Sequence, residues 1–279
     1  MILMSGERNI EIICVGNELL IGKTLNTNAH WLAKRITSLG LKVRRIIVVG
    51  DDLEEISSAI KESINRKPCF IIVTGGLGPT FDDKTLEGVA LGLGLKLQEN
   101  KEALEMIKAK YERYVAEGRI RGYEMTPHRV KMARLPEGAK PLPNPVGTAP
   151  GVFLEYDGVK MVMLPGVPEE MKSIFDESVV PMMRKIAGNL TFYEVSLDVK
   201  NLPESELAPI LDIVMHDNPY VYIKSHPKTS EKTSQLELHF STTCEDSNTA
   251  RQRIGRAVVQ ISEMIKKKGG TIKPVKTKA

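Results

Sequence analysis

Aromatic residues, cysteines and long apolar runs are all scarce in this chain. Aromatic side chains make up 5% of its 279 residues and include a single tryptophan, Trp31, so the core must consist mainly of Ile, Leu, Val and Met. Three cysteines, Cys14, Cys69 and Cys244, do not support a disulfide framework or a Cys-based zinc site. No window approaches the roughly 18 consecutive apolar residues of a membrane span, and residues 1–9 lack the apolar segment of a signal peptide. We therefore expect a cytoplasmic protein without a membrane partner.

A strong charge of either sign is also missing, since the formal net charge is +4. Much of it lies in a C-terminal tail that contains Lys266, Lys267, Lys268, Lys273, Lys276 and Lys278. Such a tail can touch nucleic acid, but it is more often a solvated, frayed end. Because no aromatic residues alternate with these lysines, we do not expect nucleic-acid binding.

Strand and helix patterns alternate in the first half of the chain. β-Branched runs such as Arg45–Val49 are typical of strands that are buried on both faces of a parallel sheet. Strands that alternate with helices predict a doubly wound α/β fold. The predicted strands are Asn9–Val15, Lys42–Val49 and Cys69–Thr74, and the predicted helices are Asn28–Leu39, Leu53–Asn65 and Thr85–Leu93.

The second half predicts a hairpin and then a separate small domain. After a helix at 101–117 and a proline-rich stretch, Val152–Glu155 and Lys160–Leu164 flank a turn, and a helix follows near Val167. Beyond residue 189 the pattern is β-α-β-β-α, a compact α+β unit of about ninety residues. We expect domains at 1–188 and 189–279, the latter structural or dimerising. Its predicted elements are Phe192–Val199, Glu204–His216, Val221–Ser225, Gln235–Ser241 and Asp246–Lys267.

The segment Thr74–Thr85 carries the strongest chemical signal. Gly75, Gly76 and Gly78 lack a Cβ, so their backbone amides can turn toward a phosphate. Asp82 and Asp83 follow and supply hard oxygen ligands for Mg²⁺ or Mn²⁺. The alternative is a tight strand-to-helix turn in which an Asp caps the helix.

The segment Gly16–Thr24 superficially resembles a P-loop. A P-loop has four residues between its first glycine and the Gly-Lys pair, whereas this segment has five. What remains is Glu18 near a strand end, with Asn28 before the next helix. Asn28 suits a base, ribose or pterin edge, or it caps the helix.

Asp51 and Asp52 follow the second predicted strand as Asp82 and Asp83 follow the third. Ligands of open α/β sheets bind at the carboxyl ends of the strands. The two pairs are therefore candidates to converge on one cation, and the alternative is that Asp51 or Asp52 caps a helix.

Two further structured loops are Asn144–Gly151 and Leu164–Met171. The second leads into a helix N-terminus, where free amides favour an anion, although Glu169 and Glu170 already place negative charge there. Lys131 lies in the proline-rich stretch and either neutralises a phosphate or is simply solvated.

Together these segments resemble the CinA family (competence/damage-inducible protein A). The resemblance covers almost the whole chain and rests on Gly16–Leu20, Val49–Asp52, Thr74–Asp83, Asn144–Gly151 and Leu164–Met171. It implies a three-layer, molybdopterin-binding-like α/β domain with a mostly parallel sheet, followed by a small α+β domain. Many family members continue into a nicotinamide mononucleotide deamidase domain. We expect this chain to lack that domain.

The resemblance implies metal-dependent hydrolysis of a nucleotide pyrophosphate such as ADP-ribose, in which a cation lowers the pKa of an attacking water. Asp83, Asp51 and Lys131 would be catalytic, and Asp83, Asp82 and Asp51 would bind Mg²⁺, Mn²⁺ or Co²⁺, with K⁺ a further candidate. Lys131-Met132-Ala133 departs from the family's usual Lys-Gln-Ala, which puts an amide contact there in doubt. The implied substrate-binding residues are Glu18, Asn28, Gly75, Gly76, Gly78, Thr80, Asn144, Gly147, Thr148 and Gly166.

Two alternatives remain open at this point. One is molybdopterin binding or adenylyl transfer in molybdenum-cofactor biosynthesis, and the other is a non-catalytic nucleotide-binding protein. All three hypotheses predict a small-molecule nucleotide or pterin as the partner. Related folds often self-associate, so we also expect a homo-oligomer.

Overall fold

The computed structural model describes residues 9–228 and 235–275, and these residues form two compact units. The first contains the chain up to Thr37 together with Leu41–Ala187, and the second contains Ser38–Gly40 and the chain from Gly188 onward. Lys276 and Lys278 of the predicted basic tail lie outside the described residues.

The first unit alternates strands and helices over its whole length. Its first elements are β1 (Asn9–Val15), α1 (Asn17–Leu20), α2 (Thr27–Ser38), β2 (Lys42–Val49), α3 (Leu53–Asn65), β3 (Phe70–Thr74) and α4 (Thr85–Leu93). They are followed by β4 (Leu97–Glu99), α5 (Lys101–Ala116), α6 (Pro127–Lys131), β5 (Arg134–Pro136), β6 (Lys140–Leu142), β7 (Gly151–Tyr156) and β8 (Val159–Leu164). The unit ends with α7 (Pro168–Ile174), a π-helical turn (Phe175–Val179) and α8 (Val180–Ala187).

The main sheet has the strand order β2-β1-β3-β8-β7-β6 within the described residues. β1 is parallel to β2 and β3, and β8 is parallel to β3, whereas β7 pairs antiparallel with β8 and β6. The α/β class and the hairpin between β7 and β8 are therefore confirmed. A short antiparallel pair, β4 with β5, stands beside this sheet.

The core lies on both faces of this sheet. Ile13 and Ile71 pack with α3 and α4 on one face, and Ile12 and Ile72, which alternate with them, are equally buried on the other. All five residues of β3 are buried, as expected for a central parallel strand. The expectation was wrong for β2, where Ile46 is 47% exposed, because β2 is an edge strand.

One charged group lies inside this core. Glu11, on the central strand β1, is 3% exposed. Both of its carboxylate oxygens accept hydrogen bonds from Arg66, at 2.9 and 2.8 Å, and Ser63 Oγ donates a further bond of 2.8 Å. Burial of this carboxylate is tolerated because its oxygens are satisfied by charged and polar donors.

The second unit is a four-stranded antiparallel sheet with two helices. Its elements are β9 (Thr191–Lys200), α9 (Glu204–Asp217), β10 (Tyr222–Lys228), β11 (Gln235–Cys244), α10 (Ser247–Lys267) and β12 (Thr271–Pro274). The strand order is β10-β11-β9-β12. Leu236, Leu238 and Phe240 of β11 alternate into the apolar core. The sequence pattern missed β12, which is short and contains Lys273 and Pro274.

Candidate functional site

Four loops meet at one edge of the main sheet. The parallel strands β1, β2, β3 and β8 all end there, and the loops that follow them carry the predicted motifs. Gly16 N donates to Val49 O at 3.0 Å, and Gly75 N donates to Leu164 O at 3.0 Å, so backbone hydrogen bonds link adjacent loops. This is the edge at which open α/β sheets bind their ligands.

The loop after β3, residues 75–84, is called the glycine loop here. Gly75 and Gly76 have φ values of 97° and 64°, which L-residues with a side chain rarely adopt. A Cβ on Gly75 would overlap the carbonyl oxygen of Val15. Thr85 Oγ1 donates to Gly75 O at 2.8 Å and Thr85 N donates to Gly76 O at 3.2 Å. The loop is therefore fixed by backbone contacts that only glycine permits.

The backbone amides of three loop residues remain without an acceptor. Among the described residues, no hydrogen-bond partner is present for the N–H groups of Gly76, Leu77 and Gly78. Consecutive free amides of this kind form an anion-binding concavity. The glycine loop thus has the donors that a phosphate requires.

A cavity of about 190 Å³ lies against this loop and is called the lysine cavity. It brings together Gly76, Gly78, Asp83 and Lys131, as the sequence predicted, and adds Arg134, which sequence reasoning missed. Only the short distance along the chain from Lys131 pointed to Arg134. The lining residues are Gly76, Leu77, Gly78, Asp83, Leu86, Glu87, Leu97, Lys131, Met132 and Arg134.

The carboxylates of Asp82 and Asp83 converge on Thr80. Asp83 Oδ2 accepts from Thr80 N at 2.8 Å and from Thr80 Oγ1 at 2.6 Å, and Asp82 Oδ1 lies against the same hydroxyl. One hydroxyl has one proton, so it can donate to only one carboxylate at a time. Lys131 Nζ donates to the carbonyl oxygen of Thr80. The Thr80 hydroxyl, aided by the charges of Lys131 and Lys84, holds the pKa of Asp82 below its ordinary value.

Asp51 and Asp52 have other partners. Asp52 caps α3, because its Oδ1 accepts from the amides of Glu54 and Glu55 at 2.9 and 3.2 Å. Asp51 Oδ2 accepts from Asn17 N at 2.8 Å, and Asn17 Oδ1 accepts from Asp51 N at 3.2 Å. β1 lies between β2 and β3, which separates these two strands by about 10 Å.

The structure therefore does not bring the two Asp pairs together. In the described part of the chain, no group of three or more His, Cys, Asp and Glu side chains is arranged to hold a metal ion. The oxygen atoms that do lie close together are those of Thr80, Asp82 and Asp83.

A second cavity, of about 100 Å³, is called the asparagine cavity and is lined in part by Glu18, Asn28, Thr74, Gly75 and Gly166. Asn28 Nδ2 donates to Gly166 O at 2.7 Å. Its Oδ1 is buried and has no hydrogen-bond donor among the described residues. The cap of α2 is supplied by a neighbour, since Asn26 Oδ1 accepts from Ala29 N at 3.0 Å. Of the two alternatives for Asn28, the helix cap is therefore wrong.

Known proteins with similar sequences now identify the family. The sequence profile described as a probable molybdopterin binding domain matches residues 11–185. The chain belongs to this family. A protein of Pyrobaculum aerophilum is 44% identical over 260 residues, which are 93% of this chain and 95% of that protein. A protein of Sulfolobus acidocaldarius is 42% identical over 267 residues, 95% of this chain and 97% of that protein.

A solved structure supports the same assignment. The crystal structure of the protein CinA, of unknown function, from Thermoplasma acidophilum is 42% identical to this chain, with a TM-score of 0.58. The match covers 65% of this chain and 99% of that one. The resemblance to the CinA family is confirmed.

The molybdopterin binding domain contains all residues of both cavities. It also contains the loop 144–151, where Asn144 Oδ1 accepts from the amides of Val146 and Gly147 at 3.0 and 2.8 Å. Asn144 Nδ2 donates to Ala149 O and to Glu170 Oε2, both at 2.7 Å. Asn144, Gly147 and Thr148 line neither cavity, and their predicted substrate contacts stay predictions. A search of the described helices found none that is long and apolar enough to cross a membrane.

Proposed function

We propose that this domain binds a phosphate-bearing small molecule of the pterin or nucleotide class, with molybdopterin as the first candidate. The observation that carries the proposal is the glycine loop, whose amides at Gly76, Leu77 and Gly78 have no acceptor among the described residues. The same loop lines a cavity that also contains Lys131 and Arg134.

This arrangement has the chemistry of a phosphate site. Backbone amides of a glycine-rich turn donate to phosphate oxygens without any side chain between them. Lys131 supplies a point charge, and the planar guanidinium of Arg134 can bind two oxygens at once. The pterin is favoured as the organic part because the family is described as a probable molybdopterin binding domain.

A second candidate function is metal-dependent hydrolysis of a nucleotide pyrophosphate such as ADP-ribose. The oxygen cluster of Thr80, Asp82 and Asp83 favours it, because two carboxylates and one hydroxyl are a donor set that suits Mg²⁺ or Mn²⁺. When bound, such an ion would activate a water for attack on phosphorus. Asp82 and Asp83 would hold the ion, and Lys131 would bind the phosphate. Asp51, tied to Asn17, does not fit this cluster.

Titration calorimetry with molybdopterin, ADP-ribose and inorganic pyrophosphate tests the phosphate site. Lys131→Met should weaken pyrophosphate binding about tenfold or more, because a charge-assisted hydrogen bond is lost. Lys61→Met is the matched control, since Lys61 is exposed on α3 and lines neither cavity. Equal affinities in the wild type and Lys131→Met, or no binding of any of the three compounds, would overturn the proposal.

AMP release from ADP-ribose, with and without Mg²⁺, Mn²⁺ or Co²⁺, separates the two functions. Metal-dependent release that Asp83→Asn abolishes, in protein that remains folded, would establish the hydrolase. Molybdopterin binding without AMP release would establish the binding function instead. Pyrophosphate release from ATP in the presence of molybdopterin would extend the binding function to adenylyl transfer.

A further inference from the structure

The two cavities have opposite hydrogen-bonding character. The lysine cavity is lined by Lys131 and Arg134 and by loop amides, so it offers donors and positive charge. No Lys or Arg lines the asparagine cavity, which presents the Glu18 carboxylate and Asn28. The two cavities share the glycine loop, because Gly75 lines one of them and Gly76 lines the other. A ligand with an anionic end and a donor-bearing end matches this arrangement.

The orientation of the Asn28 amide is fixed by the backbone. Its Nδ2 donates to Gly166 O at 2.7 Å. The flipped orientation would place Oδ1 against the Gly166 carbonyl oxygen, which would bring two acceptors into contact. Asn28 must therefore turn its Oδ1 away from Gly166. That atom is buried and lacks a donor among the residues that the structure describes.

A buried acceptor without a donor costs free energy unless a bound molecule satisfies it. The partner that this atom lacks is an N–H or O–H group of a ligand. A ribose hydroxyl both donates and accepts, so it gains nothing special from surroundings that only accept. The edge of a 2-amino-4-oxopyrimidine ring carries adjacent N–H donors and no acceptor between them, which complements Asn28 Oδ1 and the Glu18 carboxylate.

We propose that the asparagine cavity recognises the donor edge of a 2-amino-4-oxopyrimidine ring, the group shared by pterins and guanine, through Asn28 Oδ1. This inference rests on the proposed function, because the lysine cavity anchors the phosphate of the same ligand. Asn28 then determines specificity, since a ring without the 2-amino group leaves its Oδ1 unsatisfied.

The test compares GMP with IMP, which differ only in the 2-amino group. Calorimetry on the wild-type chain should show GMP binding about tenfold more tightly, the usual cost of one unsatisfied buried acceptor. Asn28→Ala should reduce this ratio to near one. Asn65→Ala, an exposed asparagine at the end of α3, should leave it unchanged. Titration of molybdopterin beside GMP identifies which source of the ring binds more tightly.

Three results would overturn the inference or its basis in distinguishable ways. Equal GMP and IMP affinities in the wild type refute ring recognition without requiring any variant to fold. An unchanged ratio in Asn28→Ala assigns the discrimination to another residue and refutes the role of Asn28. Pyrophosphate binding that depends on Lys131, together with equal GMP and IMP affinities, refutes this inference alone. Failure of pyrophosphate, GMP and IMP to bind refutes the phosphate site itself.

Discussion

Replacement of Gly75 by alanine should destabilise the first unit more than any other single methyl group added to its loops. Gly75 has a φ of 97°, and an alanine held in the left-handed region loses about 1–2 kcal/mol. Its Cβ would also overlap the carbonyl oxygen of Val15, on the neighbouring strand β1. Overpacking of this kind costs a further 1–3 kcal/mol or so. We expect the free energy of unfolding to fall by about 2–5 kcal/mol.

Gly118→Ala is the matched control for this substitution. Gly118 has a φ of 70°, but no atom lies within 4 Å of the position its Cβ would take. It should lose only the left-handed contribution, about 1–2 kcal/mol. The difference between the two variants isolates the clash with β1.

Urea unfolding followed by tryptophan fluorescence measures both variants. Trp31 is the single tryptophan of the chain and packs edge-on against Phe175, with 5.6 Å between ring centroids. Its fluorescence therefore reports unfolding of the first unit. If Gly75→Ala and Gly118→Ala unfold at the same urea concentration, the contact between the glycine loop and β1 does not constrain the loop, and the reasoning fails.

Three further predictions concern single contacts. Arg66→Met should lower the free energy of unfolding by about 2–4 kcal/mol in the same urea assay, because Glu11 stays buried while Ser63 and Arg45 replace only part of the lost pairing; a loss below about 1 kcal/mol would contradict this. Asp52→Ala should cost about 1 kcal/mol through loss of the α3 cap, and an unchanged urea midpoint would show that the cap is dispensable. Burial raises the pKa of Cys69 to about 11, so its thiolate fraction grows tenfold per pH unit until near that value. Alkylation of Cys69 by iodoacetamide at pH 8, followed by mass spectrometry, should be about a hundredfold slower than that of a free thiol, and equal rates would refute the burial.

The main sheet was predictable because its strands are apolar runs with clear limits. Asn9–Val15 and Lys42–Val49 have the predicted bounds, since Gly16 and Gly50 follow them directly. Helix bounds were equally clear where Asp52 begins α3 and Gly94 follows α4. The strands β4, β5 and β6 were missed because each has three residues and exists through its tertiary partner rather than through a local pattern.

The composition of the site was only partly predictable. The glycine loop carries its own signal, and Asp83 and Lys131 do line one cavity with it. The convergence of Asp51 on the same place depended on strand order, which local sequence does not reveal. Because β1 separates β2 from β3, the partner of Asp51 is Asn17 at the end of β1. The unsatisfied Oδ1 of Asn28 depends on a carbonyl 138 residues away and was equally out of reach.

Lys131 is the residue on which the two candidate functions differ most. Its ammonium group contacts the Thr80 carbonyl, beside the hydroxyl that holds Asp82 and Asp83. A divalent cation in this oxygen cluster would repel that ammonium group, unless an anionic phosphate lay between the two charges. Without a phosphate, Lys131 already supplies positive charge to the cluster and lowers its need for a metal. The geometry therefore couples metal binding to phosphate binding, so that the cluster favours a cation only when the ligand is present.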